Sequence, residues 1–314
     1  MRIVVTGGSG FIGSNFLRFM IEKYPEYDFI NFSKGRSSRL KYVENKANYK
    51  LVEGNLCDKK KLQGLLKNTD CIFHFAAESR VDSSIKFPER TIRSNIEGTN
   101  FLLEAAKNNN VKKFIYFSTS EVYGEKLEGC FKESDRLNPK NPYADSKAAA
   151  EVLSMTYHHA YGLPVIIVRT CNVFGPYQNP DRIIPRFITN LLKNEKIPLY
   201  GDGSNFRTYI YIEDLCNALN ILFNKGEVGE AYNISTSDEI TNIDLTRRIL
   251  KRLGKSESSI EFVPGRKLDN RRFLLDTNKI HSLGWEQKTK FEDALNKTIE
   301  WYKNNKNWLS NSMN

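Results

Sequence analysis

Short runs rich in β-branched and aromatic residues alternate with longer segments of helical periodicity, and this constrains the first 170 residues more than any other feature. RIVVT (2–6), YDFINF (27–32), NYKLVEG, CIFHFAA (71–77), KKFIYFS (112–118) and VIIVRT read as strands. FIGSNFLRFMIEKY, TIRSNIEGTNFLLEAAKNN and YADSKAAAEVLSMTYHHAYG read as helices between them. Strands separated by helices pair in parallel through right-handed crossovers, with helices covering both faces. The expected fold class is α/β, a doubly wound parallel sheet.

A chain of 314 residues exceeds what one core usually absorbs, so a second lobe is expected. Residues 1–170 are assigned to the sheet. Residues 171–314, with turns at FGPYQNP, YGDGS and EVGEA and helices near 183–194, 243–253 and 291–304, are assigned mainly to a smaller α/β substrate lobe. A strand from about 208–236 is expected to return to the main sheet.

The net charge of +10 is spread among acids rather than gathered on one segment, which argues against a nucleic-acid partner and suits an anionic small substrate. Nothing approaches the roughly 18 uncharged apolar residues of a membrane span. Met1 runs straight into a strand pattern rather than a leader, so a cytoplasmic location is expected. The five cysteines are scattered and never in CxxC spacing, so neither a disulfide framework nor a metal site is expected.

VVTGGSGFIG puts Gly7, Gly10 and Gly13 between the first strand and the first helix, with Phe11 and Ile12 in the helix opening. Glycines allow a tight turn and close backbone approach, and a helix start offers unpaired N–H donors to a pyrophosphate. This is the phosphate-binding turn of a Rossmann sheet, and it predicts a nicotinamide dinucleotide. An acid commonly ends the second strand and holds the adenosine ribose diol. Here Ser33, Lys34 and Arg36 follow Phe32 instead, a set that leans toward the 2′-phosphate of NADP unless the two cations are merely solvated. Asn55, Leu56, Phe75, Ala76 and Ala77 are expected to line adenine and ribose, and Ser118 the cofactor further in.

NPYADSK contains YxxxK, which on a helix sets Tyr143 and Lys147 one turn apart on one face. A phenol with a free pKa of ~10 becomes a base near neutrality when an adjacent ammonium and a cationic nicotinamide stabilise its phenolate.

With TGGSGFIGSN, HFAAESRVDSSI, STSEVYGE, NPYADSKAAAE, RTCNVFGPYQNP, IPLYGDGSNFRTYIYIEDL and RKLDNRRFLLD in view, the chain resembles extended short-chain dehydrogenases/reductases over nearly its whole length. It is most similar to the nucleotide-hexose 4,6-dehydratases. The resemblance implies oxidation of the sugar at C-4, loss of water across C-5 and C-6, and return of hydride to C-6. It implies roles for Thr119, Tyr143 and Lys147 in the oxidation, and for Asn95 in supporting a helix bend. The family usually follows the Thr with an Asp acid and a Glu base; this chain has Ser120 and Glu121. The TSE sequence also resembles UDP-glucuronate decarboxylases, and a 5,6-dehydratase or a 4-epimerase of the same family stays open. So does a non-catalytic NAD(P)-binding sensor. The resemblance further implies diphosphate contacts at Asn172, Arg207 and Arg266, base contacts at Pro198 and Tyr200, and sugar-side contacts at Ser79 and Arg80, the last standing where His is commoner. A UDP- or dTDP-linked hexose, of the glucose or N-acetylglucosamine type, is the implied substrate, and a homodimer the implied assembly.

Overall fold

A computed structural model of the chain describes residues 1–265, 268, 270–305 and 308. Its strands, in chain order, are β1 (Arg2–Thr6), β2 (Asp28–Ser33), β3 (Tyr49–Glu53), β4 (Cys71–His74), β5 (Lys113–Phe117), β6 (Val165–Thr170), β7 (Asn172–Phe174), β8 (Ile197–Tyr200), β9 (Phe206–Tyr211), β10 (Ala231–Ile234), β11 (Glu239–Thr241) and β12 (Ile260–Val263). Among the described residues, β10-β6-β5-β4-β1-β2-β3 form a seven-stranded sheet with every pairing parallel. It is the doubly wound α/β sheet expected from the strand–helix alternation. β6 is buried at all six positions, because helices cover both faces and leave no solvent side for polar residues to alternate onto.

On one face the Phe11–Lys23 and Ile212–Lys225 helices bring Phe16, Leu17, Leu215 and Leu219 onto Val5 and Phe73. On the other, the Gly98–Asn108 and Pro142–Tyr161 helices bring Leu102, Leu103, Ala150 and Tyr157 onto Phe114 and Ile167. The order of strands reverses beside β1, which pairs with β2 on one side and β4 on the other. Connections there leave in opposite directions, so a crevice opens at the carboxyl ends of the strands.

The pattern over 91–109 is not one helix. Pro88–Ile92 and Gly98–Asn108 are separated by a π turn at Arg93–Glu97, which holds Asn95 buried. From the 208–236 span it is β10 that joins the main sheet, while β9 pairs with β7 and β11 in a three-stranded sheet. β8 and β12 pair separately. No helix of the described residues is long and apolar enough to cross a membrane.

Candidate active site

The glycine turn closes on backbone. Gly7 lies at φ +70, and a Cβ there would stand 2.7 Å from the Ala76 nitrogen; one on Gly13 would stand 2.5 Å from the Gly7 oxygen. Gly10 starts the Phe11–Lys23 helix with no side-chain cap and no acid in the first turn. The opening N–H groups therefore keep their capacity for an anion.

This turn forms one end of a cleft of ≈ 630 Å³. Gly7, Gly10, Phe11, Ile12 and Gly13 line it with Ser33, Lys34, Arg36, Asn55, Leu56, Phe75, Ala76 and Ala77. Ser118, Thr119, Glu121, Tyr143 and Lys147 form its inner wall, facing Ser79 and Asn172. Four buried polar atoms on these walls, Ser118 Oγ, Thr170 Oγ1, Asn172 Nδ2 and Gln178 Oε1, have no protein partner. Buried polar groups are costly unless paired, so the cradle fits a long polar ligand with a diphosphate at the glycine turn. A nicotinamide dinucleotide meets those requirements.

At the end of β2 the serine is already engaged: Ser33 Oγ accepts from the Ser9 nitrogen at 3.1 Å and donates to Asn31 Oδ1 at 2.7 Å. Lys34 Nζ reaches Glu78 Oε1 at 3.1 Å, and Arg36 stands exposed at the rim.

Thr119 caps a short 3-10 turn, Ser120–Tyr123, with its Oγ1 accepting from the Glu121 nitrogen at 3.3 Å, and lines the cleft with Tyr143. Asn141 starts the Pro142–Tyr161 helix, its Oδ1 accepting from the Ala144 nitrogen at 2.8 Å, so Tyr143 and Lys147 fall in the helix's first two turns. Burial, and next Glu121, push the Tyr143 phenol well up, while Arg182 and Thr119 oppose them. Burial brings the Lys147 ammonium down to about 7, with Glu151 opposing, and its Nζ sits 4.2 Å from the centre of the Tyr116 ring.

Two members of the expected set lie behind the wall. Ser120 is 2% exposed and its side chain does not reach the cleft, since the turn that directs Thr119 and Glu121 to the cleft directs Ser120 into the protein. Asn95 is buried in the π turn, accepting from the Glu78 nitrogen at 2.7 Å and donating to the Glu78 oxygen at 3.0 Å and Ser146 Oγ at 2.9 Å. Ser146 Oγ in turn donates to the Tyr143 oxygen at 2.7 Å. Asn95 thus ties the segment after β4 to the helix carrying Tyr143.

On the substrate side, Arg182 Nη2 donates to the Ser79 oxygen at 2.9 Å and to Ser79 Oγ at 3.0 Å. Arg80 pairs with Asp181 at 2.8 Å rather than pointing at the reacting end. Pro198, Tyr200 and Arg207 do not line this cleft. Arg207 Nη1 donates to the Phe206 oxygen at 2.7 Å, with the guanidinium over the Phe273 ring. Arg266 lies outside the described residues. Sequence reasoning missed Arg182 and the placement of Asn141, whose Nδ2 donates to Glu121 Oε2 at 2.9 Å. An Asn before Pro at a helix start signals a cap, but nothing local announces its second bond.

The sequence model of the GDP-mannose 4,6 dehydratase family matches residues 4–298. The chain is 41% identical over 306 residues to the low-salt glycan biosynthesis protein Agl12 of Haloferax volcanii, spanning 96% of this chain and 98% of that protein. It is 39% identical over 320 residues to the dTDP-D-glucose 4,6-dehydratase of Mus musculus, spanning 98% and 90%. The crystal structure of DesIV, a dTDP-glucose 4,6-dehydratase from Streptomyces venezuelae solved with NAD bound, matches with a TM-score of 0.97 and 39% identity over 99% of this chain and 100% of that one. With the sheet, the glycine turn and the Thr119–Glu121–Tyr143–Lys147 wall, these matches show that the chain belongs to the nucleotide-sugar 4,6-dehydratase family of extended short-chain dehydrogenases/reductases.

Proposed function

We propose that the protein removes water across C-5 and C-6 of a UDP- or dTDP-linked hexose, of the glucose or N-acetylglucosamine type, after oxidising C-4. The observation that carries this reading is one wall bearing both an oxidation set, Thr119, Tyr143 and Lys147, and a carboxylate, Glu121, whose charge acts on the phenol. A simple epimerase needs only the first. The nicotinamide, when bound, supplies the acceptor and later the donor of the sugar's hydride. Thr119 holds the C-4 hydroxyl and Tyr143 takes its proton, with the Lys147 and Arg182 cations favouring the phenolate. The ketone so formed acidifies the C-5 proton, and Glu121 removes it. Incubation with UDP-glucose, dTDP-glucose, UDP-N-acetylglucosamine and UDP-glucuronate, with product masses recorded, tests the reading: water is lost from a neutral hexose. Loss of carbon dioxide from UDP-glucuronate alone identifies a decarboxylase instead.

The cofactor site is read as open to NADP. A serine replaces the discriminating carboxylate at the end of β2, and Lys34 and Arg36 stand at the rim. The dinucleotide released on denaturing purified protein, and titrations with NAD and NADP, check this; NADP binding a hundredfold weaker than NAD overturns it. The assembly is read as a homodimer formed by the helical segments that carry Asn95 and Tyr143, beside which Ile85, Phe87, Ile92 and Val152 stand exposed. Five free cysteines suit the reducing cytoplasm.

A further inference from the structure

Water leaves a β-hydroxy ketone through two proton transfers: a base takes the proton beside the ketone, and the departing hydroxyl receives one. Two carboxyl groups can divide this work, but the reacting end of this cleft has one. Among the described residues, the carboxylates on the cleft wall are Glu78 and Glu121. Although burial pushes the Glu78 carboxyl up, Lys34 at 3.1 Å and Arg90 at 3.0 Å hold it below the ordinary range, so it has no proton to give. Ser120 faces the protein interior, and a hydroxyl is a poor acid near neutrality.

Glu121 shares the cleft wall with Tyr143, raises the pKa of its phenol, and is anchored there. Its Oε2 accepts from Asn141 Nδ2 at 2.9 Å, while Asn141 Oδ1 accepts from the Ala144 nitrogen at 2.8 Å. Both ends of one amide are thus in use, so the residue that starts the Pro142–Tyr161 helix also anchors the carboxylate on the wall that it shares with Tyr143.

We infer that Glu121, positioned by Asn141, carries out both proton transfers of the elimination. It takes the C-5 proton; the C–H electron pair becomes the C-5–C-6 double bond as the C-6–oxygen bond breaks. The same proton then passes from Glu121 to the departing hydroxyl, which leaves as water from the same face, and Glu121 returns to its ionised form. This rests on the dehydratase reading above.

The test separates oxidation from elimination in single turnovers of the dinucleotide-loaded enzyme on dTDP-glucose and UDP-glucose. Absorbance of the reduced dinucleotide reports C-4 oxidation, and product mass reports water loss. Glu121→Gln is expected to accumulate reduced dinucleotide and to lose water at least about a hundredfold more slowly. Ser120→Ala is expected to stay within about threefold of the natural protein in water loss; a fall of about a hundredfold with oxidation intact would make Ser120 the acid and overturn the inference. Asn141→Asp keeps a capping oxygen but sets a second carboxylate against Glu121, so the acid limb of the kcat profile for elimination moves up by about one pH unit. Asn141→Ser also caps but releases Glu121, lowering kcat for water loss by about tenfold with KM little changed. If neither variant moves the profile or kcat, Asn141 has no positioning role and that half of the inference fails. A natural protein that takes water from no nucleotide sugar overturns the dehydratase reading itself, an outcome distinct from active protein that depends on Ser120.

Discussion

His74 is buried in β4 between two threonines, and its neighbours decide its tautomer. Thr99 Oγ1 donates to the Asn95 oxygen at 2.6 Å, so toward His74 Nε2, 2.9 Å away, it can only accept. Nε2 therefore carries the hydrogen, and Nδ1 accepts from Thr6 Oγ1 at 2.6 Å. A neutral ring joins the strand before the glycine turn to the π turn at Asn95. Burial, with Lys147 adding to it, lowers the His74 pKa well below 6.5. The unfolded chain takes this proton first, so the stability linked to a neutral His74 is present above about pH 6.5 and is lost as pH falls. Urea unfolding between pH 7 and 5 should show that decline, and His74→Gln should lack this component of it. Lys147 acts in a different window. Its ammonium titrates near 7 when folded against 10.5 unfolded, so the unfolded chain binds more protons between those values and stability rises with pH across them. Lys147→Met should abolish that rise and, with Tyr143→Phe, slow C-4 oxidation by about 10²–10⁴-fold, measured as reduced dinucleotide formed per second.

At the level of elements, glycines separate folding demands from binding demands. Gly162 ends the Pro142–Tyr161 helix in the left-handed region at φ +68, with nothing near its missing Cβ. Gly162→Ala should cost about 1 kcal/mol in chemical denaturation through backbone strain alone and leave dinucleotide affinity unchanged. Gly13 has no such dihedral, but a Cβ there collides with the Gly7 oxygen and the Gly8 Cα. Gly13→Ala should weaken dinucleotide binding by at least about tenfold in a fluorescence titration, because the turn must open to admit the methyl group. The Phe11–Lys23 helix was legible because its period and its glycine start are local. The π turn was not: the 91–109 stretch has unbroken helical periodicity, and the interruption comes from Asn95 bonding to Glu78 and Ser146, far away in sequence.

Across the whole molecule, the doubly wound sheet places everything that matters at the carboxyl ends of its strands. Thr119 follows β5, Ala76 follows β4, Asn172 opens β7 just beyond β6, and the glycine turn follows β1. Ile85, Ile92 and Val152 stand 47–58% exposed on helices that pack against one another, and Phe87 is 50% exposed between two of them. Val152→Asp should shift the protein from dimer to monomer in sedimentation velocity without loss of helical signal, since the charge would be desolvated only in the assembled state. A natural protein that sediments as a monomer at micromolar concentration would remove this surface from consideration. The sequence by itself determined the strand–helix alternation, the glycine turn and the Tyr143–Lys147 spacing, because each depends on backbone sterics or a helical period acting over a few residues. Only the tertiary structure decided that Ser120 faces inward while Glu121 faces the cleft, that Asn141 holds Glu121, and that Arg182 meets Ser79. These depend on segments distant in the chain being packed together, and on the one turn after β5 that sends successive side chains in different directions.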